Sequence, residues 1–97
     1  MTIPIDLDWG ISHGWIEATI LALLRRNEVM RYSKRMSTAS ALSRLYPVYC
    51  IYTYRVTLER LEKYGYLTME SVYIRGKYPY KIYSLTDKTW REYQFGE

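Results

Sequence analysis

Residues 54–67 read YRVTLERLEKYGYL, and this stretch decides the fold. Its apolar side chains recur at the spacing of one helical face: Tyr54, Leu58 and Leu61. The charged residues lie elsewhere around the same helix. Gly65 follows as a residue suited to the left-handed conformation in which many helices end. The pattern predicts an amphipathic helix from Thr53 to Tyr64.

A β-hairpin is predicted downstream of this helix. Residues 66–74 and 80–85 are rich in Tyr, Thr, Val and Ile, the residue types that favour strands. The segment between them, RGKYP at residues 75–79, carries turn residues. Thr86 and Asp87 then provide a cap for a last short helix.

The first residues of the chain show a different pattern. Apolar and polar residues alternate through residues 1–10, which also contain Pro4 and Gly10. Alternation of this kind is typical of extended backbone. We therefore predict an N-terminal arm over residues 1–11, followed by a single domain over residues 12–97.

Two further helices are predicted between the arm and residue 53. Ser12 is a candidate N-cap for a first helix that ends near Arg26, and its apolar positions recur at helical spacing: Trp15, Ile16, Ile20, Leu23 and Leu24. A second helix reaches Leu45, with serines that weaken its helical propensity. Pro47 prevents that helix from continuing. The predicted fold class is α+β.

The basic charge is concentrated in the middle of the chain. The 97 residues have a formal net charge of +4, but residues 29–85 hold ten Lys or Arg against three Glu, a net of +7. Residues 1–28 sum to −2 and residues 86–97 to −1. Eleven of the 12 tyrosines fall between Tyr46 and Tyr93. This segregation favours a polyanionic partner.

Several function classes lose support from the composition. A single cysteine, Cys50, excludes an internal disulfide, and one histidine, His13, leaves little basis for metal or triad chemistry. We expect a protein that is not an enzyme, with no cofactor, no metal and no identified small-molecule ligand. The longest apolar stretch is far short of the roughly 20 residues that span a bilayer. No secretory signal precedes it, so we expect a cytoplasmic protein without a membrane partner.

The order of these elements resembles a known family. Residues 54–67 resemble the recognition helix and following strand of winged helix-turn-helix regulators. Residues 75–86, RGKYPYKIYSLT, look like the wing and last strand of the PadR-like and MarR-like groups. The resemblance implies three helices, a two-stranded hairpin wing and a short C-terminal helix. The chain departs from the pattern because residues 27–36 lack a clear first strand and no long C-terminal dimerisation helix is present. Its tyrosine content and size are similar to those of small regulators from hyperthermophilic archaea and their viruses, in which case the protein works in the host cytoplasm.

The start of the predicted recognition helix carries the candidate base contacts. The major groove of B-DNA is about 12 Å wide and admits one α-helix, whose N-terminal residues meet base edges. The candidates on this helix are Tyr52, Thr53, Arg55, Val56, Arg60 and Lys63. Arg55 is placed to bind guanine, or else it is a solvated charge paired with Glu59 four residues on. Arg60 and Lys63 are phosphate contacts or plain surface charges.

The hairpin turn carries the second group of candidates: Arg75, Gly76, Lys77, Tyr78 and Lys81. Three cations fall within seven residues without an acid, and a glycine permits close approach of the backbone. We expect contact with phosphates or the minor groove, although exposed hairpin turns are commonly polar in any case.

The partners expected from the sequence are double-stranded DNA and a second copy of the chain. One recognition helix covers only a few base pairs, so pairing about a two-fold axis gives useful specificity. The arm, the first helix and the last helix remain for that pairing. Two alternatives stay open: a winged-helix module that binds a protein, and a non-specific architectural DNA-binding protein. Cys50 is expected to be a buried or half-buried thiol.

Overall fold

Six helices and one antiparallel hairpin make up the fold in a computed structural model that describes residues 4–73, 76 and 79–96. The elements are α1 (Leu7–His13), α2 (Trp15–Leu24), α3 (Asn27–Tyr32), α4 (Thr38–Leu45), α5 (Ile51–Lys63), β1 (Leu67–Val72), β2 (Tyr80–Leu85) and α6 (Asp87–Glu92). The α+β class is as predicted. The number of helices differs from the prediction. Three helices and a short C-terminal helix are predicted, and the described residues form six.

Helix α1 replaces most of the predicted extended arm. The carboxylate of Asp6 accepts a hydrogen bond of 3.1 Å from the backbone N–H of Trp9 and so caps the helix. Trp9 is only 5% exposed and packs edge-on against Tyr66 and Tyr93. The alternating pattern was misleading because a local cap and a docked indole favour the helix. Residues 1–3 of the predicted arm lie outside the described residues.

A glycine breaks the predicted first helix in two. Gly14 has φ +119°, a conformation that L-residues rarely adopt, and a Cβ there would collide with the carboxylate of Glu17. Ser12 therefore lies in the last turn of α1 and is not the N-cap of the next helix. Most of the predicted apolar positions remain helical in α2, which buries Ile20, Leu23 and their neighbours.

The region predicted as the second helix contains two short helices. Helix α4 ends at Leu45 as predicted, but it begins only after Ser37, whose hydroxyl accepts a hydrogen bond of 3.1 Å from Ser40 N. The serine-rich stretch thus supplies a cap instead of weakening a long helix. Helix α3 occupies residues 27–32, where winged helix-turn-helix regulators carry a first strand.

The long helix and the hairpin match the prediction closely. Gly65 has φ +87° and ends α5. The strands pair from Leu67↔Leu85 to Val72↔Tyr80. In β1 only Leu67 is buried, so most of this strand is exposed. The predicted cap of α6 is confirmed, because the Thr86 side chain accepts a hydrogen bond from Thr89 N.

The core lies where α2, α4, α5 and the base of the hairpin meet. Its most enclosed large side chains are Ile20, Leu21, Leu23, Leu42, Tyr54, Leu58, Leu61 and Tyr93. The backbone N–H of Tyr83 donates a 2.9 Å hydrogen bond to the buried hydroxyl of Thr38, which joins β2 to the start of α4. In the part of the chain that the structure describes, no helix has the length and apolarity needed to cross a membrane.

Candidate nucleic-acid interface

The turn between α4 and α5 is fixed from inside the core. The hydroxyl of Tyr54 donates a 2.5 Å hydrogen bond to the backbone carbonyl of Tyr46, and the ring of Tyr49 packs edge-on against Tyr54. Burial raises the pKa of Tyr54 to about 12, so this hydroxyl keeps its proton at neutral pH. The first turn of α5 is therefore held at a set angle to α4.

The exposed side of α5 begins at its N-terminus. Tyr52 is 65% exposed and Arg55 is exposed, whereas Thr53 and Val56 are half-buried. The opposite face of the helix is buried: Tyr54, Thr57, Leu58 and Leu61. The helix thus presents Tyr52 and Arg55 outward, as the sequence predicts, and shields the other two candidates in part.

Cys50 lies at the N-cap position of α5 and is exposed. The prediction of a buried or half-buried thiol is wrong, because the side chain of Cys50 is exposed at the start of α5. Its Sγ lies 3.3 Å from the hydroxyl of Thr53. That hydrogen bond, together with backbone N–H groups at the helix start, lowers the pKa of the Cys50 thiol.

An open groove joins α5 to the hairpin. It has a volume of about 270 Å³ and is lined by the start of α4, one face of α5 and β2: Ser37, Ala39, Arg55, Glu59, Pro79, Tyr80, Lys81 and Tyr83. Two predicted contact residues, Arg55 and Lys81, therefore share one surface although 26 positions separate them in the chain. Tyr83 forms the buried floor.

Glu59 is the one acid among the described residues that line this groove, and its partner lies on the hairpin. Its Oε1 lies 3.9 Å from Nζ of Lys81. Both side chains are about half exposed, so the pair is weak and screened by solvent. Among the described residues Arg55 forms no ion pair, and the alternative pairing of Arg55 with Glu59 is not formed.

The hairpin turn is described in part. Gly76 has φ +77° and is exposed, and no atom lies within 4 Å of where a Cβ would be. The predicted contact residues Arg75, Lys77 and Tyr78 lie outside the described residues. The hydroxyl of Tyr80 donates a 3.3 Å hydrogen bond to the backbone carbonyl of Lys34, which ties the start of β2 to the segment after α3.

Arg60 and Lys63 lie away from the groove. Arg60 donates a 2.8 Å hydrogen bond to the carboxylate of Glu17 on α2. Lys63 is exposed in the last turn of α5. The start of α5 and the hairpin form one surface, and these two cations lie outside it.

A second crevice lies behind α5 and belongs to the packing of α1. His13 stacks on Trp9 with ring centroids 4.2 Å apart, and its Nδ1 lies 3.0 Å from the carbonyl oxygen of Trp9. The hydroxyl of Tyr66 lies 3.2 Å from His13 Nε2 and donates a 3.0 Å hydrogen bond to Glu92. Residues 4–73, 76 and 79–96 contain no group of three His, Cys, Asp or Glu side chains placed to hold a metal ion.

No family model, no curated protein and no solved structure matches this chain. The interface is therefore interpreted from the chemistry of its own residues.

Proposed function

We propose that this protein is a sequence-specific, double-stranded DNA-binding transcription regulator with a winged helix-turn-helix fold. In this proposal α2, α4 and α5 are the three helices of the motif and the β1–β2 hairpin is the wing. Helix α5 enters the major groove with Tyr52 and Arg55 at the base edges. The hairpin follows the flanking backbone or the minor groove.

The observation that carries the proposal is the groove shared by Arg55 and Lys81. An arginine at the exposed start of a helix and an exposed lysine on the hairpin lie on the same side of the molecule. DNA offers two kinds of contact, base edges that give specificity and phosphates that fix position. A helix beside a hairpin can make both, the helix with the bases and the hairpin with the phosphates.

The charge distribution supports the same partner. The net charge of +7 over residues 29–85 falls on the segment that contains this interface. A dimer that neutralises about 6 to 10 phosphates would lose about 10³- to 10⁵-fold in affinity between about 50 and 200 mM salt. Affinity for DNA that does not change with salt would contradict this electrostatic interpretation.

We propose further that the protein acts as a homodimer in the cytoplasm. Two copies related by a two-fold axis read half-sites about one helical turn apart, which gives a site long enough to be specific. The exposed apolar side chains of α1 and its junction with α2 support the pairing: Leu7, Ile11 and Trp15. They lie in the segment of the chain that is not basic.

Selection of bound duplexes from a random pool tests the proposal. An enriched sequence, with a palindrome for a dimer, is the expected result. Binding without enrichment would favour the non-specific architectural protein, and absence of binding to any duplex at low salt would favour the protein-interaction module. The variant Arg55→Ala, run in parallel, should lose the enrichment at one or two positions of the half-site while it keeps part of the affinity.

A further inference from the structure

We infer that the end of α3 is a second contact surface for the phosphate backbone of duplex DNA. This α3 surface consists of Arg31, Tyr32, Lys34 and Arg35. The inference rests on the proposed function, because it extends the same interface beyond α5 and the hairpin. The sequence leaves two interpretations of these cations open: an extension of the basic surface around the second predicted helix, or a plain solvated face.

The charge of the α3 surface is not compensated within the described part of the chain. Arg31, Lys34 and Arg35 are exposed, form no ion pair there, and line an open depression of about 590 Å³. The nearest acid along the chain, Glu28, is engaged elsewhere, since it accepts a 2.9 Å hydrogen bond from the hydroxyl of Tyr46. Three cations in five positions therefore form a strongly positive patch.

The fold places this patch beside the proposed interface. Tyr80 lines the groove with Arg55 and Lys81, and its hydroxyl reaches the carbonyl of Lys34 at 3.3 Å. Tyr80 is also the first residue of β2 and pairs with Val72 at the turn end of the hairpin. The α3 surface thus continues the groove on the hairpin side.

Phosphates fit this surface better than base edges do. Helix α3 has only six residues, and its end is anchored by the buried Ser33, whose N–H bonds to the carbonyl of Val29. With α5 in the major groove, a neighbouring surface of exposed Arg and Lys side chains meets the backbone. The only exposed aromatic ring on it, Tyr32, is 43% exposed and carries a hydroxyl that can also reach a phosphate.

A charge-matched pair of variants tests the inference. The test protein is the double variant Lys34→Ala/Arg35→Ala, and the control is Arg91→Glu on α6. Each lowers the net charge of the chain by two. Arg91 is exposed and does not line the groove. Fluorescence anisotropy would measure affinity for a selected duplex and a random duplex over a series of salt concentrations. We expect the double variant to bind both duplexes about tenfold more weakly at low salt. The slope of log K against log salt should fall by about 1.8 per bound chain, or about 3.6 for a dimer, and the control should keep the wild-type slope.

Hydroxyl-radical footprints would locate the lost contact. The double variant should lose backbone protection at the flank of the site and keep protection at its centre, where α5 binds. Circular dichroism and thermal unfolding of each variant would show that the fold is intact.

The outcomes separate this inference from the proposed function. If the double variant keeps wild-type affinity and slope while Arg55→Ala loses affinity, the α3 surface is not a DNA contact and the proposed function stands. If Arg55→Ala and Lys81→Ala bind normally while the double variant is weak, the α3 surface stands and the proposed docking of α5 is wrong. Failure of the wild-type protein to bind any duplex, or tighter binding to single-stranded RNA, overturns both.

Discussion

Arg60 on α5 donates a 2.8 Å hydrogen bond to Glu17 on α2, and this contact divides α5 into two charged faces. Five residues along a helix correspond to a rotation of about 140° between Arg55 and Arg60. Arg55 lines the groove beside the hairpin, and Arg60 lies against the body of the molecule. The two arginines, both candidates for DNA contact in the sequence, therefore have different surroundings.

Replacement of Arg60 by alanine should affect folding more than binding. Arg60 is half exposed, so solvent screens the pair, and loss of the contact should lower the free energy of unfolding by about 0.2 to 1 kcal/mol. Urea denaturation would measure this loss, and Glu17→Gln should reproduce it. Affinity for duplex DNA should stay at the wild-type value. A loss of affinity as large as that of Arg55→Ala would place Arg60 on the DNA.

Replacement of Arg55 by alanine should relax base preference. A bidentate arginine–guanine contact contributes about 1 to 3 kcal/mol of discrimination, and that preference should disappear at one or two positions of the half-site. Lys81→Ala, on the same groove, should weaken binding to every sequence alike and reduce the salt slope by about 0.9 per bound chain, or about 1.8 for a dimer. Competition binding against a set of single-base variants of the site would distinguish the two effects. Uniform losses for both variants would make Arg55 a phosphate contact.

Local patterns were sufficient to predict α5 and the hairpin. The apolar positions of α5 recur at the spacing of one helical face, which packs on the core. Two of the elements that α5 contacts, α4 and β1, are also close to it in the sequence. Gly65 marks the end of α5 through its own backbone conformation, and the strand residues pair across one turn. Features that depend on residues close together in the chain can be predicted from the sequence. The candidate contacts Tyr52 and Arg55 followed from the same pattern.

Contacts between distant parts of the chain could not be predicted from the sequence. Helix α1 depends on Asp6, whose second carboxylate oxygen accepts a 2.8 Å hydrogen bond from the backbone N–H of Gln94, 88 residues later. The hydroxyl of Tyr93 donates a 2.7 Å hydrogen bond to the carbonyl of Ala18. The hydrogen bond from Arg60 to Glu17 likewise joins residues that are 43 positions apart in the chain. Each of these contacts is visible only once both ends of the chain are folded together.

The buried hydroxyl of Tyr54 should make stability depend on pH in the alkaline range. Tyrosine ionises near pH 10 in an unfolded chain, but Tyr54 has a folded-state pKa of about 12. The stabilisation is present below about pH 10 and is lost as the pH rises toward 12, by up to about 2 to 3 kcal/mol. Tyr54→Phe should cost about 1 kcal/mol near neutral pH through its lost hydrogen bond.

The comparison of wild type and Tyr54→Phe at two pH values provides the test. Urea unfolding near neutral pH should find the variant less stable, and the gap should narrow or reverse above about pH 11. Some alkaline dependence should persist in the variant, because burial also raises the pKa of other tyrosines: Tyr46, Tyr66, Tyr83 and Tyr93. A constant gap between the two proteins at all pH values would contradict the raised pKa of Tyr54.

Two tryptophans on either side of Gly14 should differ in their effect on stability. Trp9 is 5% exposed and contacts three aromatic rings, so Trp9→Ala should lower the free energy of unfolding by about 3 to 5 kcal/mol. Trp15 is 52% exposed, and Trp15→Ala should cost much less in a dilute sample. Thermal and urea unfolding at low protein concentration would compare them. Equal small losses would mean that α1 does not dock on the core.

The exposed face of α1 should mediate formation of the homodimer. Leu7, Ile11 and Trp15 are 63%, 71% and 52% exposed and follow one another at four-residue intervals. In an antiparallel pair of α1 helices centred on Ile11, Leu7 of each copy lies toward the C-terminal end of α1 of the other, and Trp15 follows after Gly14 at the start of α2. Asp8 lies three residues from the centre, which separates the two copies of this acid by about 9 Å along the helix axis. This pairing would bury Leu7 and Ile11 between the two copies and keep the two acids apart.

Sedimentation equilibrium at micromolar concentration would test this pairing without DNA. The wild-type protein should have about twice the mass of the 11.7 kDa chain, and Ile11→Glu should shift it to the monomer because a charge on the two-fold axis meets its own copy. Met30→Glu is the matched control, since Met30 is 51% exposed on α3 and lies outside the proposed dimer face. Ile11→Glu should also bind a palindromic duplex more weakly than the wild type does, because a monomer contacts only one half-site. A wild-type protein that stays monomeric with and without DNA, or a dimer that survives Ile11→Glu and Trp15→Ala together, would move the pairing away from α1.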